Sequence, residues 1–65
     1  MIRHEVKSSF SRALKELYKF ASINGYVVEH YNTKTFQSVL LSKNGKVALV
    51  LYKDKVLNKT FLKVY

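Results

Sequence analysis

The chain has 65 residues, with twelve lysines and arginines against four acidic residues, a formal net charge of +8. Charge of this size weakens a compact fold by self-repulsion and favours a polyanionic partner, nucleic acid first and an acidic protein second. The absence of cysteine excludes disulfides and cysteine-ligated zinc. A hydrophobic content of 48% excludes a disordered basic tail, so we expect one small domain over residues 1–65.

The hydropathy pattern predicts a protein that does not cross a membrane. The longest apolar run, Val47–Tyr52, is far shorter than the ~20 residues that a membrane-spanning helix needs. No apolar segment follows the basic residues Arg3 and Lys7, which argues against a signal peptide. The expected location is therefore the cytoplasm.

The first predicted element is an amphipathic helix at about residues 6–23. Its apolar residues recur at helical spacing and share one side of the helix: Val6, Phe10, Ala13, Leu14, Leu17, Phe20 and Ala21. Ser8 or Ser9 is suited to cap the start, because a serine hydroxyl accepts a hydrogen bond from a first-turn amide. Asn24-Gly25 is suited to end it, because glycine readily adopts the left-handed conformation of a helix C-terminus.

After the helix the pattern changes to that of β-strands. The predicted strands are Tyr26–Tyr31, Thr35–Ser42, Lys46–Lys53 and roughly Thr60–Tyr65. Asn44-Gly45 is a strong signal for a type I′ hairpin turn, whereas the last turn lies near either Asp54-Lys55 or Asn58-Lys59. The predicted fold class is α+β, with one N-terminal amphipathic helix packed on a three- to four-stranded antiparallel β-meander.

The two-residue turn at Asn44-Gly45 sets a predicted register for the central hairpin. In that register the pairs are Lys43 with Lys46, Leu41 with Ala48 and Val39 with Val50. One face then carries Phe36, Ser38, Leu40, Val47, Leu49 and Leu51, and the other carries Gln37, Val39, Leu41, Ala48, Val50 and Tyr52. Both faces are apolar at their centres, unlike a sheet with one solvated face.

One helix covers only one face, so the other requires a partner, a second copy or the N-terminal segment 1–5. Few charges and no proline guard the strands against edge-to-edge pairing. We therefore expect a homodimer or partner interface formed by Phe36, Leu40, Val47, Leu49 and Leu51.

The basic residues form two candidate nucleic-acid contacts. Arg12, Lys15 and Lys19 follow one stripe of the predicted helix, which is suited to phosphate contacts. Their ordinary alternative is a solvated helix face with Glu16 as counter-ion. Lys43 and Lys46 flank the hairpin turn, where solubility is the alternative. Most cations are lysines, which act as point charges, so sequence preference should be weak.

Tyrosines interleaved with lysines can stack unpaired bases, and Tyr31 and Tyr52 are the candidates for an exposed platform. The residues expected to bind nucleic acid are therefore Arg12, Lys15, Lys19, Lys43, Lys46, Tyr31 and Tyr52. DNA and RNA, single- or double-stranded, remain equally open.

The sequence offers no catalytic constellation. His4 and His30 each neighbour a glutamate but are far apart in the chain, and a metal site needs three or four converging ligands. The only glycines, Gly25 and Gly45, form no phosphate loop. We therefore expect no enzyme activity, no metal and no cofactor. The alternative function is a protein-interaction module, such as a phage or mobile-element inhibitor that docks on an acidic host protein.

Overall fold

A computed structural model describes residues 2–65. In chain order its elements are β1 (Ile2–Val6), α1 (Phe10–Asn24), β2 (Val27–Asn32), β3 (Phe36–Lys43), β4 (Lys46–Asp54) and β5 (Lys59–Val64). The predicted α+β class, a helix with a β-meander, is confirmed. The described part of the chain has five strands, one more than the upper end of the prediction.

The five strands form a single antiparallel sheet in the order β1-β5-β4-β3-β2. Strands β2 to β5 follow one another as the predicted meander, and β1 adds to its far edge beside β5. Helix α1 therefore connects the two edge strands and crosses one face of the sheet. Since it is the only helix in residues 2–65, the other face has no layer over it.

The predicted helix start is wrong, because Val6 is the last residue of β1 rather than the first turn of α1. The alternation of Ile2, His4 and Val6 with polar residues suits a strand, and Val6 pairs with Thr60 of β5. The helix begins after Ser9, whose hydroxyl accepts a hydrogen bond of 3.2 Å from the Arg12 amide.

The end of the helix is as predicted. Gly25 has φ +71°, and its amide donates to the Ala21 carbonyl. The N-terminal segment does not cover the second face as one alternative held. Ile2–Glu5 lie within the edge strand β1, and Met1 lies outside the described residues.

The predicted register of the β3–β4 hairpin holds at the turn and fails beyond it. Asn44 and Gly45 have φ +54° and +76°, as a type I′ turn requires, and Lys43 pairs with Lys46. An irregularity between Leu41 and Ser42 then shifts the pairing. Its effect is that Leu41 pairs with Leu49 rather than Ala48, and Val39 with Leu51 rather than Val50.

This β-bulge reverses the predicted faces of β4, because a shift of one residue moves every later side chain to the opposite face. The prediction that Leu49 and Leu51 share a face with Phe36 and Leu40 is therefore wrong. Leu51 is 2% exposed and lies in the core under the helix, and Leu49 packs against the same core.

The core lies between α1 and the sheet face that it crosses. Its buried members are Phe10, Leu17, Ala21, Val39, Leu41 and Leu51. Complete burial of a leucine or valine side chain stabilises the fold by about 1.5–3 kcal/mol. The sheet contributes its buried residues from the central strands β3 and β4, so the opposite face of these strands is left to the solvent.

Candidate nucleic-acid interface

The sheet face opposite α1 presents a row of aromatic rings. We call this surface the open face; its central residues are Phe36, Leu40, Val50, Tyr52, Phe61 and Lys63, which alternate with the core residues along β3, β4 and β5. The ring centroids of Phe36 and Tyr52 are 6.1 Å apart, and those of Tyr52 and Phe61 are 5.4 Å apart. The rings therefore form a continuous row across three strands, which we call the platform; Tyr52 and Phe61 are nearly parallel, and Phe36 is tilted by 50° from Tyr52.

Two cations lie directly over this platform. The Arg3 guanidinium is 4.8 Å from the Phe61 ring centroid, and the Lys63 ammonium is 5.1 Å from that of Tyr52. Such cation–π contacts hold the charges at the ring faces. The pairing of Arg3 with Lys63 across β1 and β5 places both charges on the same half of the open face. A shallow depression lined by Phe36, Tyr52 and Lys63 lies beside them.

The β2 edge of the open face carries an acid, Glu29. The Tyr31 hydroxyl donates a hydrogen bond of 2.7 Å to the Glu29 carboxylate. This bond and the negative charge of Glu29 raise the pKa of the Tyr31 phenol above its ordinary value of 10.0. Tyr31 is 52% exposed and pairs with Ser38, so it lies on the open face beside the platform. The β1 edge carries an acid as well, because Glu5 pairs with Phe61 on the same face as Arg3.

The structure divides the residues predicted to bind nucleic acid between opposite sides of the domain. Tyr31 and Tyr52 are on the open face, whereas the stripe of Arg12, Lys15 and Lys19 is exposed on the outer side of α1. The Lys19 ammonium is 3.8 Å from the Glu16 carboxylate, the counter-ion that the alternative required. Helix and sheet separate the stripe from the platform, so one short ligand cannot touch both.

The hairpin lysines differ from each other. The Lys43 ammonium donates a hydrogen bond of 3.0 Å to the Asn24 carbonyl and lies 5.5 Å from the Tyr26 ring centroid. It therefore stabilises the C-terminal end of α1, where orphan carbonyls favour a cation. Lys46 is exposed at the same hairpin tip.

Of the predicted interface residues, Phe36, Leu40 and Val47 are on the open face. Phe36 and Val47 are 43% and 39% exposed, and Leu40 is half-buried between Glu29 of β2 and Val50 of β4. As described above, Leu49 and Leu51 are on the core side, so they form no surface there.

Sequence reasoning missed Arg3, Phe61 and Lys63 as site residues. Their signal was the alternation in β1 and β5, where Arg3 and Glu5, and then Phe61 and Lys63, occupy every second position. Strand β1 was not predicted, so its Arg3 had no place on the sheet. Once β1 pairs with β5, Arg3 lies over the platform.

A row of aromatic rings with two cations over it is suited to bind planar rings and anionic groups, since bases stack on aromatic rings and phosphates pair with cations. It has no group of three metal-ligating side chains within residues 2–65. In that part of the chain no helix has the length and apolar character needed to cross a bilayer.

Comparison with known proteins found no matching family model, no similar curated protein and no similar solved structure.

Proposed function

We propose that this protein binds single-stranded nucleic acid on the open face, without catalysing a reaction. The observation that carries the proposal is the row Phe36–Tyr52–Phe61, whose rings contact one another and carry Arg3 and Lys63 over their faces. Bases would displace the Arg3 and Lys63 side chains from the ring faces and stack there, and the displaced cations would bind the phosphates. The net charge of +8 would speed the encounter with a polyanion.

A single strand fits this surface better than a duplex. Bases in a duplex are stacked on each other and show only their edges and phosphates. Aromatic rings gain stacking energy only from unpaired bases. Few hydrogen-bonding side chains lie between the rings, with Ser38 the one polar residue in the depression besides Tyr52 and Lys63. The expected binding therefore has weak sequence preference.

The proposal is tested by fluorescence anisotropy with single- and double-stranded DNA and RNA, at low and physiological salt. We expect saturable binding of single strands, and a loss of about tenfold in affinity for Tyr52→Ala, since stacking on one aromatic is worth ~1–3 kcal/mol per base. Tyr18→Ala is the matched control, because Tyr18 is a partly exposed tyrosine on the helix side that hydrogen-bonds His30.

Two results would contradict the proposal. One is an equal loss of affinity in Tyr52→Ala and Tyr18→Ala, which would show that binding does not depend on the open face. The other is binding of duplex and single strand with equal affinity that disappears at physiological salt, which is the behaviour of a general polycation.

A second candidate function is docking of a protein on the same face, as a homodimer or as a module that binds an acidic partner. The observation that favours it is the apolar group Leu40, Val47 and Val50 beside the rings, next to the unpaired edge of β2. Apolar contact would then supply most of the affinity and charge mainly the on-rate. Sedimentation equilibrium distinguishes the two candidates: a dimer that weakens with Leu40→Lys but tolerates salt favours docking.

A further inference from the structure

A second basic surface lies away from the open face, at the start of α1. A hollow there is bordered by the end of β1, the Ser9 cap and the adjoining ends of β4 and β5. Lys7, Lys53, Lys59 and Thr60 are among the residues that line it. The hollow opens on the helix side of the sheet. Thr60, which lines it, is buried and pairs with Val6, a residue that packs against the core, and with Lys53 of β4.

The charges around this hollow are mostly positive. The amides of Phe10 and Ser11 have no carbonyl partner within the helix, and the first turn of α1 holds no acidic residue. In residues 2–65 neither Lys53 nor Lys59 is among the lysines paired with a carboxylate. Glu5, the one acid in the lining, is 3.8 Å from the Lys7 ammonium. The positive end of the helix dipole adds to these lysines.

The Thr60 hydroxyl is the independent sign of a ligand. Thr60 is 7% exposed and is the one buried polar residue in the described chain, yet its hydroxyl has no hydrogen-bond partner there. Every side-chain nitrogen or oxygen sealed from solvent within residues 2–65 does have a partner. The Thr60 hydroxyl must therefore open onto the hollow that its side chain lines, where it can donate to a bound group.

We propose that the hollow binds a phosphoryl group. The amides at the start of α1 and the Thr60 hydroxyl would donate to its oxygens, as helix N-termini do to anions, while Lys53 and Lys59 balance its charge. The source is a free phosphate, a nucleotide or the terminal phosphate of a nucleic-acid strand, which present the same dianion. The proposed site is separate from the row of rings on the open face, because the start of α1, Lys53 and Thr60 lie on the helix side of the sheet. Lys59 alternates with Thr60 and borders the hollow from the end of β5.

The test is a titration of the ¹⁵N-labelled protein with inorganic phosphate, followed by amide chemical shifts at constant ionic strength balanced with chloride. We expect saturable shifts at Phe10, Ser11 and Thr60. Thr60→Val keeps the shape of the side chain and removes the hydroxyl, so phosphate affinity should fall about tenfold, as for loss of a hydrogen bond to a charged group. Lys59→Gln should weaken binding several-fold, and Lys46→Gln at the hairpin tip should not.

The free energy of unfolding, measured without phosphate, is the control for correct folding. Thr60→Val should be at least as stable as the parent protein, because the hydroxyl has no hydrogen-bond partner to lose. Unchanged phosphate affinity in Thr60→Val, or shifts at the hairpin tip as large as those at α1, would overturn the site. Tyr52→Ala separates this proposal from the open face, since it should leave the phosphate titration unchanged. Comparison of 5′-phosphorylated and 5′-hydroxyl oligonucleotides with a nucleoside monophosphate then identifies the source.

Discussion

The Lys43 ammonium donates a hydrogen bond of 3.0 Å to the carbonyl of Asn24, which ties the tip of the β3–β4 hairpin to the last residue of α1. The two residues are nineteen positions apart in the chain, so this contact exists only in the folded state. It places a positive charge at the negative end of the helix dipole. A lysine that the sequence suggested for nucleic acid is therefore engaged within the protein.

We expect Lys43→Met to lower the free energy of unfolding by about 1 kcal/mol, the usual net value of one hydrogen bond at a helix terminus. Binding of single strands should change little. Lys46→Met is the matched control, with the same loss of charge at the same turn and no such contact. Urea denaturation measures both variants. If the two variants are equally stable and only Lys43→Met binds nucleic acid more weakly, Lys43 contacts the ligand rather than the helix end.

The bulge in β4, opposite Leu41 and Ser42, predicts which residues of β4 lie in the core. Leu51→Ala should lower the free energy of unfolding by about 2–5 kcal/mol, because it empties a buried site. Val50→Ala on the open face should cost about 1 kcal/mol or less, as for a half-exposed position. An unbulged hairpin would reverse this order, since it places Val50 under the helix. The pair, compared by urea denaturation, therefore tests the register itself.

The same bulge shows how far the sequence could predict the fold. Helical spacing, the serine cap and the Gly25 stop are local signals, and they predicted α1 with a start about one turn too early. Asn44-Gly45 is also local and gave the correct turn. The bulge depends on how Leu49 and Leu51 pack under α1, and that contact is not encoded within the hairpin. A register read from the turn alone could not include it.

The candidate site was predictable only where it depends on local sequence signals. Tyr31 and Tyr52 were expected on an exposed surface because their strands were recognised. Arg3 was missed because its strand β1 pairs with β5, at the opposite end of the chain; the alternation within β1 indicates a strand but not the partner that it pairs with. The Thr60 hydroxyl is visible only when burial is known, since threonine is an ordinary strand residue.

Gly45→Ala should lower the free energy of unfolding by about 1 kcal/mol, because an alanine resists the left-handed conformation. Gly45 has φ +76°, and an added Cβ would meet no atom within 4 Å. The cost is therefore confined to the backbone, and the hairpin register should survive in amide spectra. Gly45→Asn is the control, since asparagine tolerates the left-handed region. A loss for Gly45→Asn as large as for alanine would show that the turn has another requirement.

Glu29→Gln should change two properties of the open face at once. Removal of the carboxylate should lower the pKa of Tyr31 towards its ordinary value of 10.0, since Glu29 is the main cause of the increase. It should also strengthen binding of single strands, because a negative charge beside the platform is removed. The phenol titration is followed by ultraviolet difference absorbance against Tyr31→Phe, and binding by anisotropy at low salt.

The hydrogen bond between Tyr31 and Glu29 also predicts how the free energy of unfolding changes with pH. Because the pKa of Tyr31 is raised in the folded state, folded protein retains the proton where unfolded protein has lost it. The contribution is fully present below the unfolded pKa and is lost as pH rises through the folded pKa. The parent should therefore lose more stability than Glu29→Gln above pH 10.0. Parallel stability curves for the two proteins in alkaline solution would show that the Tyr31–Glu29 hydrogen bond does not persist there.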